Sequence, residues 1–441
     1  MIKDINISQY RKLKDIILNF TREVNAISGA NSTCKTSILH IISNSFQKVK
    51  KSSTNLINKD CLSIIQNINL SINPKIELLS RGDKKYNDPA SGKKGTLYTV
   101  HYLNSISLDF RRHNYKLTSR FSIKPKYRNR SSENLPSLPV IYLGINRLVP
   151  YGEFIDDDSV KYVSKKLPLE YQNELNKLYK RFTQYNISNV KIQKMGAIKN
   201  RADFITDKIG VYGNTVSAGE DNLYIILTAL VSLKFYFNSI ASSQEVESIL
   251  LIDELDASLH PGLQNNLIKL FVNFSKEYKI QIIFTTHSVS SLESMFNNNQ
   301  NVIYLIDNLS KVDCMENPNL YKIKMYLYEQ SEQTLYKNNV ILVFTEDNEA
   351  RYFIDILFRY FSRKDDSFKI AFSYLHLVNA NIGSNILHDI FKDNHVNSLL
   401  YKSICILDGD QCSNLHKNMI SLPGNTRNSC NLPQINWSLL I

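Results

Sequence analysis

The chain is poor in tryptophan, glycine and proline, with one, 14 and 11 of them in 441 residues. It also lacks any uninterrupted apolar run of roughly 18 residues, which excludes a membrane-spanning helix. Cysteine is sparse as well. Cys34, Cys61, Cys314, Cys405, Cys412 and Cys430 are scattered without metal-ligand spacing, and they read as the reduced thiols of a cytoplasmic protein rather than a disulfide framework or a zinc site. Sustained heptads are missing, so long coiled-coil arms are not expected. The opening Met1-Ile2-Lys3-Asp4 and the polar, strand-like residues after it do not make a signal peptide. Acidic residues are in deficit: 41 Asp and Glu stand against 53 Lys and Arg, a formal charge of +12. That surplus favours a polyanionic partner.

What is present begins at Ala26-Ile27-Ser28-Gly29-Ala30-Asn31-Ser32-Thr33-Cys34-Lys35-Thr36-Ser37. It follows an apolar stretch and leads into Ile38-Leu39-His40-Ile41-Ile42, a strand–loop–helix pattern. Such a loop turns backbone N–H groups toward a phosphate at the positive end of the helix. The expected contacts run from Gly29 and Asn31 through Cys34 to Ser37. Lys35 would neutralise phosphate charge, and the Thr36 hydroxyl would hold Mg²⁺. Cys34 stands where the pattern G-x-x-x-x-G-K-[ST] has its second glycine, and cysteine reaches positive φ less cheaply.

Further motifs follow in order. Val216-Ser217-Ala218-Gly219-Glu220 precedes an apolar helix-like run from Leu223 to Phe237. Ser248-Ile249-Leu250-Leu251-Ile252-Asp253-Glu254 is an apolar strand ending in two carboxylates, of the kind that is buried on both faces. Asp253 would hold Mg²⁺ through water and Glu254 would orient the attacking water. Asp256 comes next, and Gln281 to Ser288 forms another apolar strand ending in His287.

This set resembles the ATPase heads of the ABC/SMC superfamily. The resemblance implies an α/β fold binding ATP and Mg²⁺, with Walker A at Gly29 to Thr36 and a signature motif at Ser217 to Glu220. It also implies Walker B at Asp253 and Glu254, a D-loop at Asp256 and a switch histidine at His287. In that family two heads sandwich two ATPs, and the signature serine of one touches the γ-phosphate held by the other. Self-association as a dimer or tetramer is therefore expected.

The head is expected over residues 1–310, with an inserted helical and β region at about 45–215. Within it Tyr98 to Phe110 reads as a strand pair, and Pro168 to Phe182 as a helix with Leu175, Leu178, Tyr179 and Phe182 on one face. Val140 to Arg147 is a buried-type strand ending in a basic residue that could meet a phosphate or pair with a carboxylate. Basic clusters at Lys48-Val49-Lys50-Lys51, Lys84-Lys85, Lys93-Lys94, Arg111-Arg112 and Lys124 to Arg130 concentrate in the same region. They make a DNA-facing surface an expectation.

A linker at 311–334 separates the head from residues 335–441. There Asn339 to Phe344 is an apolar strand running into Thr345-Glu346-Asp347-Asn348-Glu349, and Ile404 to Leu407 runs into Asp408-Gly409-Asp410. Residues two apart on an extended chain face the same way, so Asp408 and Asp410 would share a metal with Glu346 approaching from a neighbouring strand; the alternative for Asp408-Gly409-Asp410 is an Asx-type turn after the strand. Carboxylate oxygens suit Mg²⁺ or Mn²⁺. This part resembles a TOPRIM domain, with Glu346 matching the catalytic glutamate and Asp408 and Asp410 the DxD pair. Asp347 stands where that family often has glycine. Ser421 to Asn425 resembles a late TOPRIM motif close to the end of the sequence, which points to a partial domain.

An ATPase head followed by TOPRIM resembles the OLD (overcoming lysogenization defect) nucleases and related anti-phage effectors. It implies ATP-gated, Mg²⁺-dependent cleavage of double-stranded DNA, with a defence-system partner protein. The alternative is an ATP-switched DNA-binding or sensor ATPase with an inactive TOPRIM, acting with a separate effector.

Overall fold

The computed structural model describes residues 1–52, 55–65, 89–90, 92–114, 121–127, 134–149, 160–163, 167–195, 199–308, 310–327, 341–365, 368, 372, 375–393, 396, 403–411 and 413–422. Lys84-Lys85, Arg128 to Arg130, Cys412, Pro423 to Asn425, and everything after them lie outside the described residues. The chain divides into two compact units, Met1–Ile323 and Lys324–Ile441.

The first unit is built on an eleven-stranded sheet. Its strands are β1 (Ile2–Tyr10), β2 (Leu13–Asn19), β3 (Val24–Gly29), β4 (Thr96–Tyr102), β5 (Ser107–Asn114), β6 (Phe121–Lys126), β7 (Val140–Leu143), β11 (Ser248–Ile252), β12 (Ile280–Thr286), β13 (Asn301–Asp307) and β14 (Val312–Cys314). Their order is β6-β5-β4-β1-β2-β14-β13-β3-β12-β11-β7. From β13 to β7 all pairings are parallel. Here β3, β11 and β12 are buried along their whole lengths, as expected where both faces of a sheet are covered. The antiparallel wing instead alternates: Ile5 and Ile7 are buried and Asn6 between them is exposed.

The region read as an insertion thus has two parts. Strands β4 to β6, which include the expected Tyr98–Phe110 pair, extend the main sheet through β1. Only β8 (Val160–Tyr162), β9 (Ile187–Met195) and β10 (Lys199–Thr206) form a separate antiparallel sheet. Val312–Cys314, inside the stretch read as linker, is a strand of the main sheet, because Val312 is buried and pairs beside Leu13 of β2.

Five helices position the site. They are α1 (Lys35–Asn44), α2 (Leu169–Thr183), α3 (Ala218–Asn238), α4 (Pro261–Tyr278) and α5 (Val289–Asn297). Helix α2 buries Tyr171, Leu175 and Tyr179, the one-in-four spacing of an amphipathic helix, and Pro168 caps it from outside the first turn. Helix α3 is buried nearly all round, from Leu223 to Tyr236; truncating one of its leucines to alanine would cost about 2–5 kcal/mol. The core between α1 and the sheet joins Ile27, Ile38, Leu39, Ile42, Leu251 and Ile283.

The second unit holds a four-stranded parallel sheet of β15 (Ile341–Thr345), β16 (Leu375–Leu377), β17 (Ser403–Leu407) and β18 (Met419–Ser421), in the order β16-β15-β17-β18. Helices α7 (Asn348–Ser362) and α8 (Ser384–Lys392) follow β15 and β16, while α6 (Leu320–Leu327) precedes the sheet. Leu387 and Phe391 of α8 pack with Cys405, Leu407 and Met419.

Candidate functional sites at the strand ends

The loop after β3 carries the backbone the sequence demanded. Gly29 has φ +148°, and a Cβ there would collide with the carbonyl oxygen of Leu305 on neighbouring β13. Cys34, immediately before α1, has φ 65° and ψ 22°, so the thiol-bearing residue adopts the left-handed conformation its glycine counterpart would reach freely. The first turn of α1 has no acidic side chain and no side-chain cap, which leaves N–H groups and the helix dipole for an anion.

Lys35 is 8% exposed. Its Nζ donates to the carbonyls of Gly29 at 3.0 Å and Ala30 at 2.8 Å. Burial pulls its pKa below the ordinary lysine value, against the carboxylates of Glu254, Asp253 and Asp256. The Thr36 hydroxyl donates to Asp253 Oδ2 at 2.8 Å across 217 residues of sequence. Asp253, 1% exposed, takes a second hydrogen bond on Oδ1 from Thr285 Oγ1 at 2.7 Å. Thr285 in turn accepts from the backbone N–H of Glu254 at 2.7 Å. These are hard oxygen donors beside an anion-binding loop, and they fit a magnesium–nucleotide complex.

Glu254 sits at φ 50°, an uncommon conformation for a residue with a long side chain and one that clusters at functional sites. The Asp256 carboxylate accepts from the backbone N–H of His287 at 3.1 and 3.3 Å. The His287 imidazole is held below its ordinary pKa by partial burial and by Lys35, with Asp256, Glu254 and Asp253 pulling the other way. Ser217 caps α3 in a reciprocal box: Glu220 N donates to Ser217 Oγ at 3.2 Å and Ser217 N to Glu220 Oε2 at 3.2 Å. A Cβ at Gly219 would collide with the Ser258 carbonyl, so this glycine lets α3 approach the turn after Glu254.

Sequence reasoning missed several contributors. Thr285 has a signal in hindsight, since it lies two residues before His287 on a buried strand. Arg11, on the β1–β2 turn, donates from Nη1 to Ser37 Oγ at 2.9 Å, and nothing local marks it. His40 Nε2 lies 3.0 Å from the Tyr142 hydroxyl. Among the described residues Arg147 makes no hydrogen-bonded ion pair with a carboxylate, although the charges of Asp253, Glu254 and Asp256 act on it. It donates to Asn222 Oδ1 at 2.8 Å and to the carbonyls of Gly144, Leu143 and Glu254 at 2.9, 3.1 and 2.9 Å.

In the second unit Glu346 and Asp408 follow β15 and β17, which are hydrogen-bonded neighbours. Glu346 Oε1 accepts from the backbone N–H of Asp408 at 2.9 Å. Burial raises the Asp408 carboxyl above its ordinary value, reinforced by the charges of Asp347, Asp410 and Glu349. A divalent cation would relieve that concentration of negative charge. The extended geometry expected for Asp408-Gly409-Asp410 is replaced by a turn, closed by Gln411 N donating to Asp408 O at 3.1 Å; Asp410 is consequently exposed. Asp347 caps α7, accepting from Ala350 N at 2.8 Å. Among the described residues, no three His, Cys, Asp or Glu side chains form a metal-binding group.

An AAA ATPase domain family, AAA_15, matches residues 157–291. This stretch is similar to an AAA ATPase domain. That match contains Ser217, Asp253, Glu254, Asp256 and His287, while the Lys35 loop lies on its N-terminal side. No curated protein matches the chain. Among solved structures it is similar to an SMC head bound to the C-winged helix domain of ScpA, at 14% identity and TM-score 0.42 over 73% of this chain and 99% of that one. The SMC head domain from Thermotoga maritima gives 12% identity and TM-score 0.36 over 72% and 99%. The recombination mediator protein RecF with ATPrS gives 11% identity and TM-score 0.39 over 72% and 98%. No helix among the described residues is long and apolar enough to cross a membrane.

Proposed function

We propose that this chain is an ATP-binding and ATP-hydrolysing protein of the ABC/SMC-like kind, whose heads pair around nucleotide. Its C-terminal unit is then a TOPRIM-type, metal-dependent DNA endonuclease of the OLD type, acting in defence against phage. Lys35, Thr36 and Asp253 would hold Mg²⁺-ATP, and Glu254 would orient water. Ser217 and His287 would sense the γ-phosphate. In the second unit Glu346, Asp408 and Asp410 would hold Mg²⁺ or Mn²⁺. A metal bound there would activate water or stabilise the leaving 3′-oxygen of a phosphodiester.

The observation that carries the nuclease reading is the 2.9 Å contact between Glu346 and the Asp408 backbone at the ends of adjacent parallel strands. Ligands in open α/β sheets bind outside the carboxyl ends of strands. The net charge of +12 supports DNA as the polyanion.

The test is cleavage of supercoiled plasmid with Mg²⁺ or Mn²⁺, with and without ATP. Asp408→Ala is expected to lose cleavage and to keep ATP hydrolysis. Cleavage that survives in the mutant would remove Asp408 from the reaction.

A second reading is supported by the turn at Asp408 to Asp410 and by the want of a three-ligand group among the described residues. On it, the chain is an ATP-switched DNA-binding or sensor ATPase with an inactive TOPRIM and a separate effector. Calorimetric titration with Mn²⁺ separates the two, because Asp408→Ala reduces the number of bound ions only on the nuclease reading.

A further inference from the structure

Arg147 is 1% exposed, and its described acceptors are neutral oxygens. Nη1 serves the Leu143 and Gly144 carbonyls, Nε the amide of Asn222, and Nη2 the carbonyl of Glu254. Burial disfavours the guanidinium and the nearby charges of Asp253, Glu254 and Asp256 favour it, yet its described hydrogen bonds go to neutral oxygens, so the placement of the fork needs a reason. Each end of the guanidinium fork lands on a different functional segment. One end is the peptide that follows Glu254, itself at φ 50°. The other is Asn222, in α3, whose first turn carries Ser217 and Gly219.

Asn222 completes the tie. Its Nδ2 lies 3.3 Å from the Ala257 carbonyl and 3.3 Å from Ser258 Oγ, within the turn after Glu254. Behind Arg147, Lys199 of β10 donates from Nζ to the Arg147 carbonyl at 3.1 Å and is paired with Asp221 of α3. The smaller sheet, α3 and the strand end bearing Glu254 therefore meet at one residue, the first through its backbone carbonyl and the others through its side chain.

We propose that Arg147 is a positioning residue for ATP hydrolysis: it holds the Glu254 backbone in its left-handed conformation and couples it to the first turn of α3. The proposal rests on the reading of Glu254 as the residue that orients the attacking water. Rotation of the peptide after Glu254 would redirect its carboxylate, and the hydrogen bond from Arg147 opposes that rotation. A displacement of the α3 N-terminus reaches the Glu254 carbonyl through Asn222 and Arg147, beside the direct contacts of Asn222 and Gly219 with the turn that follows. Lysine cannot replace this fork, because a single ammonium does not span the acceptors that a planar guanidinium does.

The test compares Arg147→Lys, Asn222→Ala, Glu254→Gln and the Arg147→Lys/Glu254→Gln double variant in the full chain. Steady-state hydrolysis gives kcat and KM, single-turnover hydrolysis gives the residual rates, and thermal melts report folding. Arg147→Lys is expected to lower kcat at least ~10-fold with KM for ATP within about threefold, the pattern of a lost transition-state interaction. In the Glu254→Gln background the same substitution is expected to change the residual rate less than about twofold, since coupled residues are non-additive.

An unchanged kcat in Arg147→Lys, or an equal loss in both backgrounds, overturns the proposal. If Arg147→Lys does not fold, Asn222→Ala carries the same comparison, with a smaller loss expected in kcat and none in the Glu254→Gln background. Wild-type hydrolysis by Glu254→Gln itself would overturn the role of Glu254, a failure distinguishable from that of Arg147.

Discussion

Cys34 and His40 lie on the same short segment, one before α1 and one within it, and each carries a measurable consequence. A side chain in the left-handed region costs about 1–2 kcal/mol, while glycine adds roughly 0.5–1 kcal/mol of unfolded-state entropy. Cys34→Gly is therefore expected to stabilise the fold by less than about 1 kcal/mol and to preserve nucleotide affinity. Thermal melts with and without ATP check both. A loss of stability would mean that the packing of the thiol against the core outweighs the backbone strain. The Cys34 thiol is also expected to be shielded from alkylation by ATP, as read by mass spectrometry.

Burial lowers the His40 imidazole from 6.5 to about 4, with Asp253 opposing and Arg11 assisting. Between those values the unfolded chain binds the proton and the folded one does not. The resulting stability is present above the unfolded value near 6.5 and is lost as pH falls toward 4. His40→Asn is expected to flatten that limb of the stability profile by about one proton, measured as melting temperature against pH.

At the scale of elements, the N-terminus of α3 is tested at Gly219. Alanine within a helix gains roughly 0.5–1 kcal/mol over glycine, but here its Cβ meets the Ser258 carbonyl, and overpacking of this kind costs about 1–3 kcal/mol. Gly219→Ala is thus expected to destabilise the protein and to lower ATP hydrolysis; a more stable, fully active variant would mean that α3 need not approach this turn. Helix α3 was legible beforehand because Leu223 to Phe237 is a long apolar run; the Ser217–Glu220 cap that starts it is seen in the structure. Strands β3, β11 and β12 were legible for a similar reason, as short apolar runs that end in charged or glycine-rich turns. At Asp408 to Asp410 the residues left two conformations open, an extended chain and a turn, and the backbone hydrogen bond from Gln411 selects the turn.

For the whole molecule, the proposed function has heads that pair around nucleotide, and it makes association depend on nucleotide. Glu254→Gln with ATP and Mg²⁺ is expected to accumulate at twice the protomer mass or more in light scattering, and Lys35→Ala to remain at the protomer mass. A protomer mass for Glu254→Gln at saturating ATP would exclude head pairing as the resting consequence of nucleotide binding.

The sequence by itself determined which residues are candidates for phosphate and metal chemistry, because such chemistry is encoded in short segments: a loop at the head of a helix, and carboxylates at the ends of apolar strands. Tertiary structure alone decided their company. Thr36 meets Asp253 from 217 residues away, the strand leading to His287 lies between those of the phosphate loop and Glu254, and Arg147 bridges the Glu254 carbonyl and Asn222. Local periodicity sets whether a segment is strand or helix and which of its faces is apolar. It does not set which distant strand lies alongside, and the contacts of Thr285, Arg147 and Asp408 all depend on that choice.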